Sequence, residues 1–162
     1  MPRARRTRLI GADRPAVWAV VSDPYQLPRW WPKVARVETV QERSRGSGTL
    51  WTKVLKTQAG RDVRADFRCL YSKRETAYGW EQEIEGSPFA KVFRSSVTRI
   101  ELADADGGTR VRLEANQRLR GMSRLGGFMV KRATVAQLNE ALDALAALFE
   151  PAAASQEHVD AA

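Results

Sequence analysis

The chain has 162 residues, 43% of them hydrophobic, and a formal net charge of +8, a size at which one globular domain buries about 68–70% of its unfolded surface. No apolar run is long enough to span a bilayer. The single cysteine, Cys69, rules out an internal disulfide, and the only histidine, His158, lies in the Ala-rich tail after Pro151, which excludes a Cys/His metal site or a Ser/His/Asp triad inside the domain.

Arg3 to Ile10 has the pattern of a polar-rich first strand. Asp13 is a candidate N-cap, with Pro15 in the first turn of a short helix that buries Val17, Trp18, Val20 and Val21. Ser22-Asp23-Pro24 breaks that helix, and Tyr25 to Trp31 forms a second one closed by Pro32. Alternating segments follow, separated by turn residues: Val34 to Gln41, Leu50 to Lys56 and Asp62 to Ser72. In the last of these Val63, Ala65, Phe67, Cys69 and Tyr71 share one face, with Arg64, Asp66 and Arg68 on the other. Thr76 to Glu85 sets Tyr78, Trp80, Gln82 and Ile84 against Gly79, Glu81, Glu83 and Glu85. Lys91 to Leu102 and Arg110 to Leu119 make a final hairpin around Asp104 to Gly108.

Ser123 to Glu150 reads as one long helix, with Ser123 as N-cap and Pro151 as its stop. Its apolar face carries Val135, Leu138, Leu142, Leu145, Ala146 and Phe149, with Gln137, Glu140, Ala144 and Ala147 opposite. Such a helix is roughly 40 Å long, so only a broad, curved sheet can cover it. Antiparallel strands with helices segregated to one face make the class α+β. Residues 1–150 are expected to form one domain and 151–162 a disordered tail.

Arg3, Arg5, Arg6 and Arg8 resemble the start of a signal peptide, but Asp13, Arg14 and Pro15 interrupt the apolar segment that should follow, so a cytoplasmic location is expected. The positive charge favours anionic contacts. Yet Arg and Lys are spread over outward strand positions, with no helix-turn-helix, zinc or aromatic RNA-binding pattern, so no specific nucleic-acid partner is expected.

At Asp13-Arg14-Pro15-Ala16-Val17-Trp18, Ser22-Asp23-Pro24 and Leu27-Pro28-Arg29-Trp30-Trp31-Pro32 the sequence resembles the START-like superfamily, also called SRPBCC or helix-grip proteins. Gly108-Thr109-Arg110-Val111 and the helix ending Leu142-Asp143-Ala144-Leu145 support the likeness, which is strongest to the bacterial polyketide cyclase/dehydrase branch. The resemblance implies a seven-stranded antiparallel sheet gripping the C-terminal helix, with two short helices between strands one and two. It also implies a cavity for a lipid, polyketide or other apolar molecule.

On inward positions, Phe67, Tyr71, Tyr78, Trp80, Val135 and Leu138 are candidate cavity wall, though the same residues would serve any core. Polar residues on faces that should be buried are Gln82, Arg94, Ser96, Thr98, Gln117 and Lys131. A buried charge needs a partner, so Arg94 and Lys131 together suggest an anionic ligand such as a carboxylate or phenolate. Against that, a β-bulge near Phe93 would turn Arg94 to solvent, and Lys131 could snorkel to the rim. Cys69 reads as a small core residue. No catalytic set, metal or cofactor is identified, and the expected partner is a small hydrophobic ligand, with the protein a monomer or homodimer. The alternatives are a cyclase/dehydrase-type enzyme acting on a poly-β-ketone in the same cavity, and binding of anionic membrane or nucleic acid by the basic surface.

Overall fold

In a computed structural model, which describes residues 3–43, 46–121 and 124–150, seven antiparallel strands form one sheet. They are β1 (Arg3–Ile10), β2 (Val34–Gln41), β3 (Leu50–Lys56), β4 (Asp62–Lys73), β5 (Ala77–Glu83), β6 (Phe93–Ala105) and β7 (Gly108–Leu119). Their spatial order is β1-β7-β6-β5-β4-β3-β2, so every pair from β2 to β7 is a sequential hairpin and β1 returns to close on β7. Helices α1 (Arg14–Val21) and α2 (Leu27–Trp30) lie between β1 and β2, joined by a 3-10 turn at Pro24–Gln26, and α3 (Arg124–Phe149) follows β7. This is the helix-grip architecture. Ser123 and the segment after Glu150, expected as N-cap and tail, fall outside the described residues.

Local chemistry sets these boundaries. Asp13 accepts from the Ala16 amide at 3.0 Å and Pro15 occupies the first turn, so α1 starts where a cap and a proline coincide. The hairpin between β6 and β7 is tighter than its sequence indicated, because pairing runs on to Ala105 opposite Gly108 and leaves only Asp106 and Gly107 in the loop. Gly108 has a φ of 147°, and a Cβ there would stand 2.0 Å from the Ile10 carbonyl oxygen. Its missing side chain lets the start of β7 lie against the end of β1. The buried Thr109 hydroxyl then donates to the Ala12 carbonyl at 2.7 Å, tying the turn after β1 to the same point.

The concave face of the sheet carries the core. Ile10, Ile100, Val111 and Leu113 are fully buried there, together with Leu138, Ala141, Leu142, Leu145 and Ala146 of α3. The C-terminal half of α3 is therefore packed solidly on the sheet, as close packing of interiors requires. On the convex face, Glu114 is buried beneath arginines. It accepts from Arg3 Nη2 at 3.1 Å and from Arg5 Nη2 at 2.9 Å, while Arg99 stands 3.6 Å away. Burial alone would raise the Glu114 carboxyl, but the hydrogen bonds and charges of Arg3 and Arg5 outweigh it and hold the group below its ordinary range.

Of the four register shifts among the described residues of the sheet, two lie between β2 and β3, at Val34/Arg36 and Glu38/Gln41, and the other two bear on the candidate side chains. An extra residue in β4 between Cys69 and Tyr71 shifts the register against β5, and Tyr71 comes to lie opposite Gly79. Tyr78 and Trp80 occupy the inner face, so Gly79 and the Tyr71 ring beside it belong to the outer one. Atoms of that ring stand 2.6 Å from where a Gly79 Cβ would be. The second bulge, between Phe93 and Ser95, leaves Arg94 exposed.

Candidate functional site

β3 alternates, and its inner face carries Trp51, Lys53 and Leu55. Lys53 pairs with Val37 of β2 and Ala65 of β4, and the small Ala65 leaves room for its long side chain. Lys53 is only 2% exposed. Its Nζ lies 4.1 Å from the ring centre of Phe67, 4.7 Å from Trp80 and 4.9 Å from Trp31. The third ring arrives through the turn after α2. Lys33, at a φ of 63°, reverses the chain there, and its carbonyl accepts from the Lys56 amide at 3.1 Å, which fixes the Trp31 segment against β3.

Around this amine lies a cavity of about 180 Å³, between the sheet and the middle of α3 at Gln137. Its wall is aromatic and aliphatic: Trp31, Leu55, Ala65, Phe67, Trp80, Phe89, Phe93 and Ala115. Its polar groups are all neutral apart from Lys53: Gln82 of β5, Ser96 and Thr98 of β6, Gln117 of β7 and Gln137 of α3. Among the described residues, Lys53 has neither a hydrogen-bonding partner nor an ion pair, and burial lowers its amine from 10.5 to about 7. Three ring faces stabilise the ammonium in part, so both the charged and the neutral amine are populated near neutral pH.

Phe93, Gln117 and Gln137 also border an outer groove of about 460 Å³ that runs along α3 past Pro32, Lys33, Val130, Thr134 and Glu140. These three residues are the partition between cavity and groove. Thr134 holds one of them in place, its hydroxyl lying 3.0 Å from Gln117 Oε1 and 2.8 Å from the Val130 carbonyl oxygen.

Six of the twelve residues picked out in the sequence meet in this cavity: Phe67, Trp80, Gln82, Ser96, Thr98 and Gln117. The other six lie elsewhere. Tyr71 is turned to the convex face by the β4 bulge, with Lys73 Nζ 5.9 Å from its ring centre. Tyr78 is buried at the opposite end against Trp18 and Trp80, where burial pushes its hydroxyl far above the usual range. Leu138 is fully buried in packed core, and Val135 packs on that core without lining the cavity. Arg94 and Lys131 are both exposed, so the anionic pocket they suggested does not form. Gln137, placed by periodicity on the wettable side of the helix, instead borders the cavity.

Lys53 was the residue the sequence reading missed. Its signal was present: Trp51, Lys53 and Leu55 fall at i, i+2 and i+4 of a strand, which puts a cation in line with two large apolar side chains. Cys69 is buried, and burial raises its thiol above the ordinary range. No group of three or more potential metal ligands occurs among the described residues, and no described helix is long and apolar enough to cross a membrane.

Comparison with known proteins matches residues 1–150 to the family model described as polyketide cyclase / dehydrase and lipid transport. Among solved structures, a START superfamily protein from Mycobacterium smegmatis is similar, with a TM-score of 0.74 at 15% identity, covering 91% of this chain and 96% of that one. A protein from Chromobacterium violaceum gives 0.69 at 18% identity, covering 93% and 98%. The di-domain ARO/CYC StfQ from the steffimycin biosynthetic pathway gives 0.75 at 12% identity, covering 91% of this chain and 50% of that one. Among curated proteins none matches this sequence.

Proposed function

The chain belongs to the polyketide cyclase / dehydrase and lipid transport family, and from that premise we propose that it binds a small, flat, largely apolar molecule in the cavity headed by Lys53. One observation carries the reading: a space between sheet and helix is walled by aromatic rings and contains a buried amine with no protein partner. An apolar wall rewards burial of a greasy body, and a few convergent polar groups orient it. Here those groups are Lys53, Gln82, Ser96, Thr98 and Gln117. A volume of about 180 Å³ suits one or two fused rings rather than a lipid with long acyl chains, and the outer groove offers space for a substituent.

The direct test is titration with 2-naphthol, followed by quenching of tryptophan fluorescence. Saturable quenching from Trp31 and Trp80, lost in a Phe67→Trp variant that fills the cavity, supports the reading. Absence of quenching counts against it. A catalytic role has one observation in its favour, the perturbed amine of Lys53, since catalytic lysines are those whose burial frees the neutral form.

A further inference from the structure

We propose that Lys53 is a covalent anchor, whose amine condenses with the carbonyl of an aldehyde or ketone held in the cavity to form an imine. The inference rests on the cavity reading above and adds to it the chemical class of the ligand. Three features of the site lead to it. The amine is buried at the head of an aromatic-walled space, so a flat ligand is held with one end against it. No carboxylate approaches it from any element packed around it. β4 offers Ala65 and Phe67, β5 Trp80 and Gln82, β6 Ser96 and Thr98, β7 Ala115 and Gln117, and α3 Gln137, while Trp31 and Phe89 complete the wall. None of these titrates. The charged residues Lys33 and Glu140 border the outer groove rather than the cavity.

An unpaired amine in such a place loses its proton readily, and a desolvated lysine is the form used as a nucleophile toward carbonyl compounds. The step balances without any further reagent. The nitrogen lone pair attacks the carbonyl carbon, the C–N bond forms, and the C=O π electrons move to oxygen. A proton passes from nitrogen to that oxygen to give a carbinolamine. A second proton converts its hydroxyl to departing water, and the iminium left behind returns one proton. Amine and carbonyl thus become imine and water. Ser96, Thr98 and Gln82 place hydroxyl and amide donors in the same small space as the oxygen that accumulates charge.

The experiment treats the full-length protein with 2-naphthaldehyde and sodium cyanoborohydride near neutral pH, and reads intact mass and peptide maps. The expected result is one naphthylmethyl group at Lys53, introduced about tenfold or more faster than at Lys33, Lys56, Lys73, Lys91 or Lys131. In the wild type, excess 2-naphthol slows labelling of Lys53 and leaves Lys56 and Lys73 unaffected, so the result does not depend on a variant folding. Lys53→Met and Lys53→Arg abolish the fast adduct, with circular dichroism showing that each variant keeps the wild-type fold. Labelling spread evenly over the exposed lysines, with 2-naphthol bound, overturns the imine and leaves the cavity reading standing. Lys53-dependent binding of 2-naphthoate without any aldehyde adduct makes Lys53 an ionic anchor and also overturns it. Failure of both naphthol binding and labelling removes the imine together with the cavity reading.

Discussion

Replacing Lys53 with methionine removes the amine and keeps an unbranched side chain of similar length. The consequence for stability follows from the site. Burial lowers the folded-state amine from 10.5 to about 7, while the unfolded chain keeps the ordinary value. Between those two values the unfolded state carries a proton that the folded state lacks, so raising the pH through that window stabilises the fold. Below about pH 7 both states are charged and the native state bears the whole cost of a buried ammonium. At about 1.36 kcal/mol per unit the full window is worth about 5 kcal/mol, of which about 3 kcal/mol falls between about pH 7 and pH 9. Lys53→Met has no such dependence. Urea unfolding of both proteins at about pH 6, 7, 8 and 9 should therefore show the variant's advantage greatest and constant at the acid end, shrinking by about 3 kcal/mol toward the alkaline end. Other titrating groups cancel in the difference between the two proteins. A difference that stays flat across this range would refute the reasoning, because it would mean the amine keeps its proton throughout.

Three further predictions concern the scaffold. Glu114→Gln removes the charge that Arg3 and Arg5 share and replaces one carboxylate oxygen with an amide NH2, and should cost about 1–3 kcal/mol. Since the Glu114 carboxyl is held low in the fold, its contribution is full above the ordinary carboxylate range and lost as pH falls through the folded value, so the variant's deficit should vanish in acid unfolding curves. Gly108→Ala forces a Cβ against the Ile10 carbonyl at a backbone angle that side chains rarely adopt, and thermal unfolding should show a loss of about 3 kcal/mol. Cys69, buried with its thiol raised, should react with a thiol-specific reagent only at the rate of unfolding, with immediate native-state labelling as the contrary result.

Where one local rule governs an element, the sequence revealed it. Asp13 and Pro15 announced α1, the bounds of β1, β2 and β3 fell where turn residues interrupt the chain, and the spacing of Leu138, Leu142 and Leu145 identified the face of α3 that meets the sheet. The site was legible only in part, for two reasons. Inward and outward positions propagate along a strand by strict alternation until a bulge inserts one residue, and the bulges after Cys69 and Phe93 reversed the expectation for Tyr71 and Arg94. A period of two also cannot say which part of a concave face stays open. Leu138 and Val135 have the same chemistry as a cavity wall, and only the shape of the packed sheet assigns them to the filled half. Lys53 stands apart for a different reason: β3 is short and bounded by turn residues at both ends, so a cation on its inward face is less conspicuous than Arg94 on β6 or Lys131 on α3. The strand Trp51-Thr52-Lys53-Val54-Leu55 carried the information, since one residue in two must face the core and Trp51 fixes which.

The cavity's proposed chemistry depends on the protonation and surroundings of one amine, that of Lys53. Heteronuclear NMR of the Lys53 side chain across the pH range reads both. A midpoint at about 7, falling further when 2-naphthol displaces water from the amine, is the predicted result. A midpoint at the ordinary lysine value of about 10.4, unmoved by 2-naphthol, would contradict it.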